Sequence, residues 1–203
     1  MSKGTKTLLI VVAVILVIGI GVYSFFAGNY NSMVNKEEAV KSQWAQVENV
    51  YQRRLDLVPN LVATVRGAAS HEAAVLTQVT EARAKAGGVM NVSDEILNDP
   101  EAFRRFQQAQ NELGSALQRL LVVTENYPDL KVNENFLTLQ SQLEGTENRI
   151  AVERNRYNTV VQDYNSFIRN FPRSIIANMN GFTQKAYFTA DEGAQRAPTV
   201  SFE

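Results

Sequence analysis

An uncharged, apolar stretch near the N-terminus dominates the hydrophobic pattern of the chain and covers residues 8–27. A helix of that length spans about 30 Å, which matches the hydrocarbon thickness of a bilayer. Tyr23, Phe25 and Phe26 lie at its C-terminal end, where aromatic side chains favour the membrane interface. A cleaved signal peptide is the alternative, but the apolar core is too long and no small-x-small cleavage site follows it. The pattern therefore predicts an uncleaved, single-pass transmembrane anchor within residues 1–28.

Apolar positions at spacings of three, four and seven residues continue beyond the anchor and predict helices almost throughout. The first helical segment covers residues 31–86, with a kink or break at Pro59, which lacks the N–H group of an interior helix position. Gly87 and Gly88 are expected to end this segment, and a polar linker over residues 88–99 to follow it. This linker is the one long loop that the pattern predicts.

Capping signals mark the starts of two further helices. Asp99-Pro100-Glu101 combines an N-cap carboxylate, a proline at the first helical position and an acid in the first turn. Asn133 is a good N-cap for a third helix, which carries apolar positions three and four residues apart and ends at Pro172.

No strand-like alternation competes with these helical patterns. The predicted fold class is therefore all-α: an N-terminal transmembrane helix followed by an elongated antiparallel bundle of long helices. The bundle is expected to cover residues 29–190 and to be followed by a flexible tail over residues 191–203. Phe182, Tyr187 and Phe188 precede the tail and are expected to fold back on the bundle.

Two polar residues, Thr146 and Glu153, occupy apolar positions of the third helix. A carboxylate on a buried seam needs a partner, which Arg53 or Arg54 can supply to Glu147 or Glu153. The alternative is a catalytic or metal-binding pair of Glu147 and Glu153. The di-iron bundle pattern, however, needs Glu-x-x-His on two helices, and the chain has a single histidine. We therefore predict a buried polar layer of Arg53, Arg54, Glu147 and Glu153 that fixes helix register.

Trp44 and Tyr51 lie on the segment just outside the membrane, before Pro59, where we expect the second helix to be too short to cover them. Exposed aromatic side chains on a rigid element near the bilayer are good candidates for a subunit interface. Tethering to a membrane raises the local concentration, so that weak lateral contacts suffice for assembly. The sequence thus predicts a homo-oligomer in the membrane, with residues 31–51 contributing to the contact.

Composition narrows the function further. The 20 Lys and Arg residues are balanced by 21 Asp and Glu residues, so the basic excess of a nucleic-acid binder is missing. The absence of cysteine excludes disulfides, thiolate metal sites and cysteine nucleophiles. The single histidine, His71, leaves little for acid–base catalysis near neutral pH. We predict a non-enzymatic protein that has no cofactor, no metal and no nucleic-acid partner.

Charge on the two flanks of the apolar stretch bears on orientation. Lys3 and Lys6 precede it, whereas the other flank carries no charge until Lys36. The positive-inside rule places the lysine-bearing side in the cytoplasm, which favours a domain outside it.

The chain resembles the bacterial LemA family over residues 30–188. The resemblance is carried by motifs along the chain: Trp44-x-x-Val47-Glu48, QRRLDLVPNLV at 52–62, His71-Glu72, VTEARAKA at 79–86, ENYPDLKVNENFLTLQSQLEGTENRIAVERNRYN at 125–158, Tyr164-Asn165, Phe171-Pro172 and Gly181-Phe182. Departures are small: Val132 stands where alanine is common, Val58 replaces isoleucine, and Ala68 stands where tyrosine is frequent.

The resemblance implies a protein of the bacterial plasma (inner) membrane with a helical domain and no established catalytic residues. Family members are often described with the short N-terminus outside the cell, opposite to the orientation that Lys3 and Lys6 favour. They tend to be encoded near membrane metalloproteases, and one relative takes part in building magnetosome membranes, which implies a membrane-organising role.

Three function classes follow from these observations. The first is a membrane-anchored scaffold that self-assembles on the lipid bilayer and organises it. The second is an adaptor that presents a helical face to another membrane protein, such as a protease. The third, an enzyme, is disfavoured because the chain has one histidine, no cysteine and no phosphate loop.

Overall fold

The computed structural model of the chain describes residues 3–69, 71–90 and 93–189. These residues form α-helices and, within the described ranges, no strand. In chain order the helices are α1 (Lys3–Ala68), α2 (Ala73–Met90), α3 (Ser93–Asn98), α4 (Pro100–Thr124), α5 (Pro128–Lys131), α6 (Glu134–Arg169) and α7 (Arg173–Met179). The predicted all-α class, with a long apolar helix at the N-terminus and further helices after it, is confirmed. The predicted tail, residues 191–203, lies outside the described residues.

α1 continues through Pro59, so the predicted break at this proline is wrong. Proline removes one N–H group, which would otherwise bond to the carbonyl of Leu55, four residues earlier. The Arg83 guanidinium of α2 donates to that carbonyl instead, at 2.9 Å. The helix ends at Ala68, and hydrogen bonds from the N–H of Ala69 to Val65 O and from the N–H of Glu72 to Ala69 O lead into α2.

The predicted stop at Gly87-Gly88 is also wrong, because α2 extends through both glycines to Met90. The predicted linker contains a short helix, α3. Its Ile96 and Leu97 are 1 % and 9 % exposed, so this segment is held by burial of apolar side chains and is not a solvated loop.

The helix starts predicted from capping residues are confirmed. Asp99 precedes α4 and its carboxylate accepts a hydrogen bond from the N–H of Glu101 at 2.8 Å, with Pro100 as the first helical residue. Asn133 precedes α6 and its Oδ1 atom accepts from the N–H of Phe136 at 3.1 Å. Local chemistry therefore sets both starts.

The contacts of the chain divide it into two compact units. The first comprises Met1–Ser42 and Val160–Gln184. In this unit the side chains of residues 4–26 are exposed, and the buried apolar side chains come from later positions of α1 and from α6 and α7. They are Met33, Val40, Val161, Tyr164, Ile168, Ile176 and Ala177.

The second unit comprises Gln43–Thr159 and Lys185–Glu203. Its apolar core combines residues of α1, α2, α4, α5 and α6, among them Leu55, Val65, Leu76, Leu113 and Leu130. The candidate site residues that the sequence identified lie in this unit.

Candidate functional site

A buried arginine, Arg54, organises the polar contacts inside the second unit. It is 3 % exposed and its guanidinium reaches two other helices. Its Nη1 atom lies 3.1 Å and 3.3 Å from the two carboxylate oxygens of Glu147 on α6. Its Nη2 atom donates to the main-chain oxygen of Gln110 on α4 at 2.9 Å and to the side-chain oxygen of the same residue at 2.5 Å. The guanidinium thus joins α1, α4 and α6 in one register.

The surroundings of Arg54 explain how a cation is tolerated there. The guanidinium carbon lies 5.0 Å from the ring centroid of Tyr51, a cation–π distance, and the Glu147 side chain remains 43 % exposed. Glu147 therefore keeps contact with water while it balances the buried charge, which reduces the desolvation cost of the pair. The pair lines an open groove of about 840 Å³. We call Arg54, Glu147 and Gln110 the Arg54 cluster.

The structure does not bring the other two predicted residues into this cluster. Arg53, the neighbour of Arg54, is exposed. Glu153 accepts hydrogen bonds from Gln43 Nε2 at 2.7 Å and from Arg156 Nη1 at 2.8 Å. The prediction of one four-residue buried layer is wrong in these two positions, because Arg53 points away from the seam and Glu153, six residues after Glu147 on α6, has its own partners in Gln43 and Arg156.

Gln110 was missed by sequence reasoning although a signal was present. It stands four residues after Phe106 and three before Leu113, both buried, and is itself 1 % exposed. A polar residue in an apolar register is the same signal that pointed to Thr146. Thr146 is 1 % exposed and is satisfied within its own helix, since its hydroxyl donates to Gln142 O at 2.7 Å.

Trp44 and Tyr51 are interior residues, which corrects the expectation that they form an exposed subunit interface. Each is 2 % exposed. Rings from α4, α6 and the segment after α7 surround Trp44, at centroid distances of 5.8 Å (Phe103), 5.1 Å (Phe106), 5.5 Å (Tyr157) and 6.1 Å (Phe188). Tyr51 lies 5.2 Å from Phe106. α4 is long enough to cover both, and Phe188 completes the aromatic cluster, as expected for a C-terminal piece that folds back.

Phe188 is held at the aromatic cluster by its main chain. Its N–H donates to Asn158 Oδ1 at 2.9 Å, and its carbonyl accepts from Asn158 Nδ2 at 2.9 Å. The Arg154 guanidinium lies 4.8 Å from the centroid of the Phe188 ring. One amide side chain of α6 therefore fixes the returning segment by both of its polar atoms.

Over the described ranges, no three His, Cys, Asp or Glu side chains come together as a metal site. Three tyrosines have a pKa above the ordinary value. The Tyr127 hydroxyl donates to Glu72 at 2.9 Å, and this hydrogen bond raises the pKa of Tyr127. Burial raises the pKa of Tyr157, and burial together with the negative charge of Glu37 raises that of Tyr164. Each shift favours the neutral, unreactive phenol.

The N-terminal helix supplies the remaining functional element. Among the described residues one helix, over Gly4–Ala68, is long and apolar enough to cross a membrane by length and composition, and none of its apolar window is buried. The chain thus has the make-up of a membrane protein in which a helical domain follows an apolar helix.

This chain belongs to the LemA family, whose model matches residues 43–202. Two magnetosome MamQ proteins of Paramagnetospirillum magneticum are each 25 % identical to it over 203 residues, which covers 93 % of this chain and 74 % of theirs. The protein LemA of Metamycoplasma hominis is 22 % identical over 189 residues, which covers 93 % of this chain and 81 % of that protein. Neither the family description nor these names denotes an enzymatic activity, and together with the apolar helix they indicate a membrane-associated helical protein.

Proposed function

We propose that the chain is a non-enzymatic, membrane-anchored scaffold that self-assembles laterally and organises the membrane that it occupies. The observation that carries the proposal is a set of exposed apolar side chains in the second unit. Val122, Val132 and Leu137 are 63 %, 77 % and 48 % exposed. All three lie in or beside the connection from the end of α4 through α5 to the start of α6. We call them the α5 patch.

The α5 patch is suited to a contact between copies for two reasons. Apolar side chains left in water on a helical domain favour association, because burying them releases free energy in proportion to their area. The membrane anchor confines the copies to two dimensions and raises their effective concentration, so that a modest patch suffices. The names of the magnetosome relatives support a role at a membrane compartment, and the interior aromatic and Arg54 clusters support a rigid domain rather than a catalytic one.

Crosslinking in the membrane tests this proposal directly. The chain has no cysteine, so a single thiol can be introduced at Val132 and, as a matched control, at Val152, an apolar residue of α6 that is 47 % exposed. We expect oxidation to link Val132→Cys into dimers and to leave Val152→Cys monomeric. Val122→Ser, Val132→Ser and Leu137→Ser combined should abolish multi-copy particles seen by electron microscopy in gentle detergent, with helical circular dichroism retained.

The adaptor alternative gives a different result in the same experiment. A monomer that carries a second membrane protein, lost on mutation of the α5 patch, would contradict self-assembly and favour the adaptor. A monomer without a partner would contradict both.

We also propose that the domain faces outside the cytoplasm, on the strength of Lys3 and Lys6. A reporter fused after Glu203 should be active only outside the cytoplasm, and activity only inside would reverse the orientation.

A further inference from the structure

The first unit contains a second element that meets the membrane helix just where its apolar stretch ends. Side chains of residues 4–26 of α1 are exposed, and contacts with the rest of the unit begin shortly after Ala27. Arg173 Nε, at the start of α7, donates to Asn29 Oδ1 at 3.0 Å. The ring of Phe182, just after α7, lies 5.7 Å from that of Tyr30.

A turn closed by Gly181 brings Phe182 into its contact with α1. Gly181 has a φ of +76°, and the N–H of Phe182 donates to Ala177 O at 3.0 Å. This is the hydrogen bond of a Schellman motif, in which glycine takes the left-handed conformation after the helix end. The turn reverses the chain direction and returns Phe182 to α1. Both ends of α7 therefore contact α1 at residues 29–30, which fixes their height along that helix.

That height is close to the edge of the hydrocarbon region. At 1.5 Å per residue, residues 29–30 lie about 3–5 Å along the helix from Ala27, the last residue of the apolar stretch. The interfacial layer into which amphipathic helices settle begins at this edge and reaches about 5–10 Å into the headgroup and acyl boundary.

One face of α7 and the turn before it is apolar and exposed at this height. Ile175 and Met179 stand four residues apart in α7, which places them on one side of the helix, and they are 49 % and 73 % exposed. Phe171 lies in the turn before α7 and is 82 % exposed. Ile176 and Ala177, on the side that faces the rest of the unit, are each 2 % exposed and form part of its core. We call the exposed three the α7 face.

The segment that carries the α7 face has charges of one sign. Residues 164–184 contain Arg169 and Arg173 and no acidic residue. Arg173 stacks on Phe167, with 4.2 Å between the guanidinium carbon and the ring centroid, while Arg169 is exposed. A basic rim beside an apolar face is the composition of a helix that lies on anionic lipid.

We infer that the α7 face is an interfacial membrane element: Phe171, Ile175 and Met179 enter the headgroup and acyl boundary of the bilayer that α1 crosses, and Arg169 meets lipid phosphates. Lipid is the occupant because both ends of α7 contact residues 29–30, which lie about 3–5 Å along α1 from the end of the apolar stretch, and because the rim complements anionic headgroups. The inference does not depend on self-assembly, since it applies to one chain in one bilayer.

Depth-dependent quenching tests it on the full-length chain. Single cysteines at Ile175 and Met179, labelled with an environment-sensitive nitrobenzoxadiazole dye, are compared with one at Gln162, an exposed polar position of α6 in the same unit. The chain is placed at one copy per nanodisc of phosphatidylcholine and phosphatidylglycerol. We expect blue-shifted emission at Ile175 and Met179, quenching by lipids spin-labelled high on the acyl chain, and neither effect at Gln162.

Two results would overturn the inference. Emission at Ile175 and Met179 equal to that at Gln162 would place the α7 face in water. Shielding that arises only with two or more copies per disc would show that a second copy covers the face. Both variants change exposed positions, and unchanged circular dichroism establishes that each labelled chain is folded.

Discussion

Arg83 of α2 donates a hydrogen bond from its guanidinium to the carbonyl of Leu55 in α1, at 2.9 Å. That carbonyl is the one that Pro59, four residues later, leaves without its usual N–H donor. An arginine from a neighbouring helix therefore replaces a hydrogen bond of the main chain and lets α1 continue through a proline. It also ties α2 to α1 at a fixed position.

A double-mutant cycle on this relationship gives the first prediction. Arg83→Ala should lower the free energy of unfolding by about 1–3 kcal/mol, because it leaves a partly buried carbonyl unsatisfied. In a Pro59→Ala background the N–H of residue 59 can bond to Leu55, so the same Arg83 change should cost clearly less. Urea denaturation of the four proteins measures the coupling. The control is Lys85→Ala, on the same helix as Arg83, which removes an exposed ion pair with Glu112. It should lower the free energy of unfolding by at most about 1 kcal/mol in both backgrounds.

The Arg54 cluster gives a second prediction, in which substitutions lower the free energy of unfolding by different amounts. Arg54→Ala should destabilise the chain by about 3–5 kcal/mol, because it strands the Gln110 side chain in the core and leaves a cavity. Glu147→Gln should cost about 1–2 kcal/mol, since the exposed side of that residue is already hydrated. Arg53→Ala is the matched control and should change the free energy of unfolding by at most about 0.5 kcal/mol. Equal costs for Arg53 and Arg54 in chemical denaturation would contradict the assignment of Arg54 as the buried partner.

Tyr157 supports a stabilising substitution. Its hydroxyl is fully buried and has no hydrogen-bond partner among the described residues. Tyr157→Phe should therefore raise the free energy of unfolding by up to about 1 kcal/mol, because it removes an unsatisfied polar group from the core. Tyr187→Phe, at an exposed tyrosine of the same unit, should have no effect. A destabilised Tyr157→Phe chain would contradict the burial of an unpaired hydroxyl.

The raised pKa of Tyr157 predicts that the stability of the chain falls at alkaline pH. Burial raises the pKa of Tyr157 above its ordinary value of 10.0, so its contribution to stability is fully present below that value and is lost as the pH rises toward the folded pKa. The unmodified chain should lose stability above about pH 10, and Tyr157→Phe should lose less. Urea titrations on either side of this pH measure the difference, and parallel curves for the two chains would contradict it.

Local chemistry explains which parts of this fold the sequence could predict. Asp99 and Asn133 cap their helices with bonds to residues two and three positions away, so their roles are legible in the neighbouring sequence. Pro59 shows the opposite case: the local rule predicts a break, and a guanidinium distant in sequence removes the reason for it. Burial of Trp44 could not be derived either, since its cover comes from α4, α6 and Phe188.

The pairing at the candidate site could also be predicted from the sequence. Pairing an arginine of the first helical segment with an acid of the third helix follows from residue type and register, and the structure brings Arg54 and Glu147 together. Which of two adjacent arginines faces inward could also be read from the apolar spacing, because Arg54 stands three residues after Tyr51 and four before Val58 and Arg53 does not fit that register.

The double hydrogen bond between Asn158 and the main chain of Phe188 provides the last prediction. Phe188 closes the aromatic cluster over Trp44, with the two rings stacked at 18°. Asn158→Ala removes both hydrogen bonds and should cost about 1–2 kcal/mol. It should also loosen Phe188 and admit water to Trp44, which is the sole tryptophan and therefore a clean fluorescent reporter. Red-shifted emission and stronger acrylamide quenching are expected.

Asn155→Ala is the matched control for this experiment. Asn155 is an exposed asparagine one turn earlier on α6, and its main-chain oxygen, which the substitution keeps, accepts a hydrogen bond from the Thr159 hydroxyl at 3.0 Å. It should leave both fluorescence and stability unchanged. Phe188→Ala should shift the emission of Trp44 in the same direction as Asn158→Ala and further, since it removes the covering ring itself. If Asn158→Ala behaves like Asn155→Ala while Phe188→Ala shifts the emission, the ring holds its place by packing alone. The two main-chain hydrogen bonds would then contribute nothing to closing the core.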